Sequence, residues 1–428
     1  MGESADPPFE TTYKNLFSNS PDSTLQKDSR QELVEESELP LVDLNQLNLG
    51  DLQRQACQKL IARASQEWGF FQVINHGISR DILETMRAEQ VKLLKKPFLD
   101  KTNYKDLNFS AGSYRWGTPS ATCLEQLSWS EAFHVSLSDV LGSGGLNSLS
   151  STMGQFATMV SELAQMLADI LAEEMGNKTC FFKETCLPTT CYLLLNRYPP
   201  CPLYPQMSGI TPHTDSDFLT ILHQDNIGGL QLVKDGRWIA VKPNPQALII
   251  NIGDLFQAWS NNVYKSVEHR VVANPRKERF STAFFFCPSY DTVIRWRGVE
   301  PGFYTSFSFG EYREQVQQDV DIFGYKIGLS SPNIKLGPFC EKGGQSWGRH
   351  MRKRVLKLYK VTSWTKVEEK RFLFRECCPQ LNIIPVACYS KHLTWPSLLG
   401  SMTKNPIYGE NVPVIEANDD GGLALKSA

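Results

Sequence analysis

Two side chains of the kind that bind transition metals stand two residues apart in the segment Thr211-Pro-His-Thr-Asp215. In a strand, alternate residues point to the same face, so His213 and Asp215 can offer an imidazole and a carboxylate to one ion. Such a pair is also common in surface loops, and two ligands leave a metal site incomplete. A third ligand must come from elsewhere in the chain, which contains only seven histidines.

His269, in Ser266-Val-Glu-His-Arg270, is the best candidate for the third ligand. Four further β-type runs separate it from His213, which is enough chain to bring a strand back beside the first. Two histidines and one carboxylate on one face of an octahedron are the facial triad of iron(II) oxygenases, which leaves open positions for a cosubstrate and O2. The pattern therefore predicts a catalytic Fe(II) site at His213, Asp215 and His269.

A candidate anion site follows in Arg279-Phe-Ser281, just before an apolar run. An arginine that points into a β core needs an anionic partner, because an unpaired buried charge is very costly. A dicarboxylate cosubstrate would supply that partner, since guanidinium binds carboxylate through two hydrogen bonds and the Ser281 hydroxyl can donate to the same group. The alternative is a solvated Arg279 on an outward strand face.

Asn196 and Tyr198, in Asn196-Arg-Tyr-Pro-Pro-Cys-Pro202, share a strand face in the same way. Tyr198 can add a phenol donor to the anion site, and both residues are predicted to belong to it. The alternative is that they only cap a strand before a polyproline turn.

The elements that must position these residues fall into segments of different character. Residues 1–37 are rich in serine and acidic residues and are predicted to be a flexible leader. Residues 38–185 form a helical and β region, in which helical spacing is followed at 52–68, 80–96 and 148–176, and β runs at 39–44 and 69–75.

Residues 186–329 are predicted to be the metal- and cosubstrate-binding core. Short β runs separated by turn signals occur at 191–198, 219–224, 230–233, 238–241, 247–252 and 282–287, with a closing helix at 309–324. The dipeptide Asp235-Gly236 suits a type I′ hairpin turn. The fold class predicted is α+β, mainly β, with a double-stranded β-helix (jelly roll) core and a flanking helical layer.

Composition bounds the remaining possibilities. The 428 residues fit one large β domain with a helical layer and appendages. A net charge of −2 gives no reason to expect nucleic acid or an anionic membrane as a partner. No long apolar run or secretory signal is present, and the eleven cysteines form no CxxC pairs. These features predict a reduced, soluble protein of the cytoplasm, with the nucleus as a second location; protein partners are not predicted.

The segment from Leu39 to about Leu329 resembles the plant soluble 2-oxoglutarate-dependent dioxygenases. The resemblance rests on several motifs beyond those above: Trp68-Gly-Phe-Phe-Gln-Val-Ile-Asn-His-Gly77, Gly228-Gly-Leu-Gln-Leu232, Asn251-Ile-Gly-Asp254 and His269-Arg-Val271. It implies Fe(II) between the sheets of a double-stranded β-helix and oxidative decarboxylation of 2-oxoglutarate to succinate. It also implies O2 as oxidant and ascorbate as reductant.

Within that family, Ser113-Tyr-Arg-Trp-Gly-Thr-Pro119 and Leu127-Ser-Trp-Ser-Glu-Ala-Phe-His134 resemble gibberellin 2-oxidases that act on twenty-carbon gibberellins. The implied reaction is 2β-hydroxylation, which inactivates the hormone. Gibberellins carry carboxylates, so Arg115, with Tyr114 beside it, is the candidate for substrate binding. The alternative is that Tyr114 packs in a lid and Arg115 is solvated. Other readings keep the same chemistry on a flavonoid or another hormone, or make the fold a non-catalytic binding protein.

The resemblance also implies a chain that ends soon after Leu329. Residues 330–428 are therefore an atypical extension, in which lysine and arginine outnumber aspartate and glutamate. We expect either disorder or an altered gene model there, with a partner-binding extension as the alternative.

Overall fold

The structure of the chain is a computed structural model. It describes residues 4–18, 34–103, 110, 112–142, 148–201, 207–298 and 301–330, and the two short strands β16 (Val414–Ala417) and β17 (Leu423–Lys426). The chain divides into two compact units, residues 1–358 and 359–428. In the second unit β16 and β17 pair in antiparallel fashion. Apart from Ser330, the remainder of the predicted extension lies outside the described residues.

Helices of the first unit lie mainly before the β core. They are α1 (Phe9–Thr12), α2 (Lys14–Ser18), α3 (Asp51–Glu67), α4 (Arg80–Leu94), α5 (Phe98–Thr102), α6 (Leu137–Gly142), α7 (Ser148–Glu174), α8 (Phe181–Thr185), α9 (Asp254–Trp259) and α10 (Phe309–Phe323). The three long helices expected in the N-terminal half are thus confirmed as α3, α4 and α7. No helix in these ranges is both long and apolar enough to span a membrane.

Five strands precede α8, and the others follow one another densely after it. They are β1 (Glu35–Ser37), β2 (Leu41–Asp43), β3 (Phe70–Ile74), β4 (Tyr114–Trp116), β5 (Glu131–Ser136), β6 (Tyr192–Tyr198), β7 (Ser208–His213), β8 (Leu219–Gln224), β9 (Leu230–Lys234), β10 (Arg237–Val241), β11 (Leu248–Ile252), β12 (His269–Val272), β13 (Arg279–Phe286), β14 (Val293–Ile294) and β15 (Phe307–Ser308). Asp235 and Gly236 join β9 to β10 with φ of 49° and 81°, the two positive values that a type I′ turn requires.

Two mixed sheets form the core. The smaller has the order β1-β10-β9-β12-β7 and the larger the order β2-β3-β11-β8-β13-β6-β5-β4. Only β1–β10 and β2–β3 pair in parallel in these two sheets as described; their other pairs are antiparallel. Apolar side chains from both sheets meet in one cluster, in which Tyr198 and Ile249 of the larger sheet join Leu232 and Val271 of the smaller. The predicted fold class is confirmed, although the sheets are not closed.

The outer face of the larger sheet packs against α3, α4 and α7 and forms the main hydrophobic core. Its residues are almost completely buried; for example, Phe133, Leu193 and Phe284 are 0% exposed. This burial is what fixes the register of β5, β6 and β13, because a shift by one residue would turn their apolar side chains to the other face.

The N-terminal segment 4–18 packs on the sheet, unlike the flexible leader expected over residues 1–37. Phe9 and Tyr13 are buried in a cluster with Trp129, with the Phe9 and Trp129 ring centroids 4.3 Å apart. Asp6 forms an ion pair with the buried Arg197 at 2.6 Å. Polar composition predicted a leader, but two aromatic side chains four residues apart are enough to dock this segment. The segment boundaries at 37, 185 and 329 stay predictions.

Candidate active site

The two histidines of the predicted triad are direct cross-strand neighbours. His213 ends β7 and His269 begins β12, and the two residues pair in the antiparallel ladder with ring centroids 4.3 Å apart. Asp215 completes the group, since its Oδ1 lies 3.5 Å from His213 Nε2 and its Oδ2 lies 3.7 Å from His269 Nε2. Ligand atoms of all three lie within 4.8 Å of one another. The structure therefore brings together the set expected from the sequence.

Asp215 lies in the loop after β7, so the prediction that it shares a strand face with His213 is wrong. Its Oδ2 instead accepts hydrogen bonds from the Thr220 hydroxyl at 2.6 Å and from the Asn251 amide at 2.7 Å. Thr220 on β8 and Asn251 on β11 are paired in the larger sheet. The carboxylate is thus oriented by the opposite sheet, and Asn251 belongs to a motif to which sequence reasoning gave no role.

Both imidazoles are oriented by main-chain carbonyls. His213 Nδ1 lies 2.8 Å from the carbonyl oxygen of Thr211, and His269 Nδ1 lies 3.0 Å from that of Val267. A proton on each Nδ1 leaves the lone pair of Nε2 free on the side of Asp215, where it could bind a metal ion. Burial and the neighbouring His213 lower the pKa of His269 to about 4, so its imidazole is neutral at physiological pH.

The buried carboxyl of Asp215 in the triad and that of Asp217, two residues on, have opposite protonation preferences. Burial would raise the pKa of Asp215, but His269, His213 and the Thr220 hydrogen bond hold it well below its usual range. Burial and the charge of Asp215 raise the pKa of Asp217 well above its usual range. Asp217 is packed so tightly that a Cβ on Gly253 would lie 2.2 Å from its backbone oxygen. One carboxylate, that of Asp215, is therefore available to a cation.

Arg279 begins β13 and is 1% exposed, so the solvated alternative is wrong for this residue. Its guanidinium donates to Gln224 Oε1 at 2.7 Å and to the Ser281 hydroxyl at 3.3 Å, and it lies over the Tyr198 ring at 4.7 Å. Among the described residues no carboxylate forms an ion pair with it, and its Nε has no hydrogen-bond partner. A buried cation with an unused donor fits a carboxylate ligand. Gln224 was missed from the sequence.

Tyr198 and Asn196 lie on β6 directly opposite Arg279 and Ser281. Tyr198 is 1% exposed and its ring also limits the space at Gly209, where an added Cβ would lie 2.5 Å from it. The Asn196 amide lies 3.5 Å from the Ser281 hydroxyl. The four predicted residues of the anion site are therefore one patch on the inner face of the larger sheet.

Tyr114 and Arg115 lie on opposite faces of the edge strand β4. Tyr114 donates its hydroxyl to the buried carboxylate of Glu131, on the face that packs against the helices. Arg115 pairs with Ala132, which pairs in turn with Asn196, so it lies in the same inner-face row as the anion site. It is exposed. The structure thus separates the two candidates for substrate binding and keeps only Arg115 on the inner face.

The inner face beside the anion site and Arg115 is incompletely covered. Five inner-face residues of β5, β6 and β13 are only partly buried, whereas the outer-face residues beside them are buried; the five are Ala132, His134, Tyr192, Leu194 and Phe285. Tyr192 stacks on Phe285 and contacts His134, with ring centroids 4.4 and 4.1 Å apart. We call this set the inner wall. Its apolar and aromatic surface suits a rigid hydrophobic ligand.

Two arginines act electrostatically on His134 of the inner wall. Burial is the main cause that lowers the pKa of His134 to about 4, and the positive charges of Arg115 and Arg313 add to it. Arg313 lies on α10 and is exposed. Positive charge acting on an apolar wall is complementary to a hydrophobic acid.

Comparison with known proteins agrees with this arrangement. Residues 189–288 match the profile of the 2OG-Fe(II) oxygenase superfamily, and residues 39–144 match that of the N-terminal region of a non-haem dioxygenase in morphine synthesis. The chain is 58% identical to Gibberellin 2-beta-dioxygenase 8 of Arabidopsis thaliana, over 76% of this chain and 97% of that protein. The chain belongs to the 2OG-Fe(II) oxygenase superfamily. It is also 52% identical to Gibberellin 2-beta-dioxygenase 6 of rice (Oryza sativa subsp. japonica), over 70% of this chain and 86% of that protein.

Solved structures of the superfamily share the fold. The chain matches JOX2, crystallised with 2OG, Fe and JA, at 29% identity and a TM-score of 0.57, over 73% of this chain and 94% of that one. It matches the dioxygenase for auxin oxidation in rice at 26% identity and the same TM-score, over 69% of this chain and 99% of that one. This enzyme is therefore a 2-oxoglutarate-dependent dioxygenase with a jelly-roll core, and it requires Fe(II) and 2-oxoglutarate to act on a small molecule.

Proposed function

We propose that this dioxygenase hydroxylates a gibberellin at the 2β position, which inactivates the hormone, while 2-oxoglutarate is decarboxylated to succinate. The observation that carries the proposal is the high identity with gibberellin 2-beta-dioxygenases over nearly their whole length. We expect the reaction to take place in the cytoplasm, with ascorbate as the reductant.

In this proposal His213, Asp215 and His269 bind Fe(II). The metal supplies the oxidative chemistry when it is bound with 2-oxoglutarate and O2. The protein's part is to hold three ligands on one side and to leave the other side open. Thr220 and Asn251 keep the Asp215 carboxylate turned toward the two imidazoles.

Arg279 and Ser281 bind the carboxylate of 2-oxoglutarate that lies away from the metal. The partnerless Nε of Arg279 supports this role, because a carboxylate can satisfy it and compensate the buried charge. Tyr198 holds the guanidinium from one side, and Asn196 lies within reach of the Ser281 hydroxyl. Succinate, which retains this carboxylate, would leave from the same site.

The gibberellin lies, in this proposal, along the inner wall with its carboxylate toward Arg115 and Arg313. Contact with aromatic and aliphatic side chains removes its ring system from water. The two guanidinium groups offer charge-assisted hydrogen bonds to the acid and so fix which end of the substrate faces the metal. Tyr114 contributes by holding β4 against Glu131 rather than by touching the substrate.

The decisive experiment incubates the purified chain with Fe(II), ascorbate, 2-oxoglutarate and a panel of twenty- and nineteen-carbon gibberellins, and measures product mass and succinate. We expect a product one oxygen atom heavier, formed only with 2-oxoglutarate. KM for the methyl esters of the same gibberellins should be about ten-fold higher than KM for the free acids, because one charge-assisted hydrogen bond is lost. Arg115→Ala should raise KM for the free acid and reduce the difference between acid and ester. Succinate formation without any gibberellin product would contradict the proposal that a gibberellin is the substrate.

A second candidate substrate is another plant hormone, since two solved relatives are named for JA and for auxin oxidation. A flavonoid is a third. The same panel, extended with these compounds, separates the three classes by product mass. Absence of succinate with every compound would instead favour a non-catalytic binding protein.

We also propose that residues 38–329 form the working enzyme, in which 186–329 carry the metal and 2-oxoglutarate sites. Residues 330–428 would then be an extension without a catalytic part. Deleting residues 331–428 should leave turnover unchanged. Loss of turnover in a folded protein that lacks residues 331–428 would show that the extension has a role in activity.

A further inference from the structure

A lysine from the segment after α10 reaches the loop that carries Asp215. The Lys326 ammonium donates to the carbonyl oxygen of Thr214 at 2.7 Å and to the Ser216 hydroxyl at 2.7 Å. These are the two chain neighbours of Asp215. The Lys326 side chain is 9% exposed and lies 2.6 Å from Asp254 Oδ2. It therefore holds the loop on both sides of the proposed metal carboxylate.

Asp254 completes the same connection from α9. Its backbone N–H donates to the carbonyl oxygen of Asp215 at 2.9 Å. Its Oδ2 accepts from the Thr214 hydroxyl at 3.0 Å and from the Tyr312 hydroxyl. With Lys326, this carboxylate has three donors in a buried position. We call Lys326, Asp254 and Tyr312 the loop clamp.

The path of the segment after α10 is itself fixed. Gly324 ends α10 in the left-handed region, with φ of 77°. Asp319 Oδ2 accepts from the backbone N–H groups of Ile327 and Gly328, at 3.1 and 3.2 Å. Lys326 is thus delivered to the loop by a turn with its own hydrogen bonds, rather than by a freely moving chain end.

We propose that Lys326 is a positioning residue, which through the loop clamp sets the Asp215 carboxylate at the place where a metal ion meets His213 and His269. The proposal rests on the proposed role of Asp215 as a ligand. Without the ammonium, the buried Asp254 loses its charged partner, and the carbonyl of Thr214 loses a donor. The loop would then sample other positions, and metal binding would have to restore the productive one. Mutation of the groups that hold a metal ligand in place typically lowers metal affinity by about 10–100-fold.

Metal binding by the apoprotein tests this without turnover. The full chain is titrated with Co(II), in the absence of 2-oxoglutarate and substrate, and the visible absorption of the bound ion gives Kd. Lys326→Met is expected to weaken Co(II) binding by about 10–100-fold. The matched control is Lys101→Met. Lys101 is also buried and paired, with its ammonium 2.5 Å from Glu131, but it touches none of the proposed ligands or their neighbours.

We expect Lys101→Met to lower the urea midpoint and to leave the Co(II) Kd unchanged. Wild-type Kd in Lys326→Met, with a lower urea midpoint like that of Lys101→Met, would overturn the positioning role. Asp215→Ala is the third arm: if it too binds Co(II) with wild-type Kd, the ligand assignment fails rather than the clamp. Should Lys326→Met not fold, Lys326→Arg decides, because it keeps the charge but not the compact ammonium. Weaker Co(II) binding supports the proposal, and unchanged binding overturns it.

Discussion

Arg279→Lys would separate charge from shape at the proposed 2-oxoglutarate site. Arg279 is 1% exposed, uses two N–H groups on Gln224 and Ser281, and keeps its Nε without a partner. A lysine keeps the positive charge but loses the planar fork, so at least one charge-assisted hydrogen bond to the cosubstrate carboxylate is lost. Such a bond is worth about 1.5–3 kcal/mol. The KM for 2-oxoglutarate should therefore rise by about 10- to 150-fold, since each 1.4 kcal/mol is about a factor of ten.

The assay measures succinate against 2-oxoglutarate concentration at saturating substrate. Arg197→Lys is the matched control, because Arg197 is 2% exposed and pairs with Phe280 across the ladder, one residue along from Arg279. Its guanidinium is on the opposite face, bound to Glu131 and Glu278. We expect this control to lower the urea midpoint and to leave KM for 2-oxoglutarate unchanged. If Arg279→Lys also left that KM unchanged, our reasoning on the anion site would be refuted.

Three further predictions address the metal, the packing and the stability at acidic pH. His269→Ala should abolish succinate formation. It should also abolish the stabilisation by metal, which is roughly 2.7 kcal/mol for the wild type at a metal concentration of 100 times Kd and is measured by urea unfolding with and without Co(II). A retained stabilisation would exclude His269 as a ligand. Gly253→Ala should lower the free energy of unfolding by about 1–3 kcal/mol, because its Cβ would overlap Asp217, and an unchanged urea midpoint would contradict that packing. Burial, with Arg87 adding to it, lowers the pKa of His223 from 6.5 to about 4, so the unfolded chain binds more protons between these values and stability falls as pH drops from about 6.5 to 4. His223→Gln should remove up to roughly 3 kcal/mol of that fall; an equal fall in both proteins would refute the shift.

The residues of the candidate site were predictable because the proposed chemistry restricts residue type. Few side chains bind Fe(II), and only seven histidines had to be considered for the third ligand. An arginine beside an apolar run likewise has few explanations once it is buried. The sequence patterns therefore predicted His213, His269 and Arg279 as parts of one region.

The groups that hold these residues could not be predicted, because they depend on register between distant strands. Thr220 and Asn251 meet at Asp215 only because β8 pairs with β11, and Gln224 meets Arg279 only because β8 pairs with β13. Neither pairing has a local signal in the chain. The same holds for Lys326, which reaches Thr214 from 112 residues away.

Two of the segments that the sequence did not predict were missed for reasons of local pattern. Strand β5 (Glu131–Ser136) begins with a charged residue, which is buried because Lys101 and Arg197 compensate it. The segment 4–18 is polar overall, and its docking rests on a few aromatic contacts. Averages over composition do not detect either arrangement.

The alternation of the larger sheet has a consequence for how such an enzyme can diversify. Along β5, β6 and β13, the side chains that stabilise the fold and those of the inner wall occupy separate, interleaved positions. Replacements at Tyr192, Leu194 or Phe285 can therefore reshape the inner wall while the helix-facing residues between them keep the protein folded. Mutational libraries confined to these positions should contain a high share of folded variants with altered preference. Natural duplication followed by drift at the same positions offers one route from one small-molecule substrate to another.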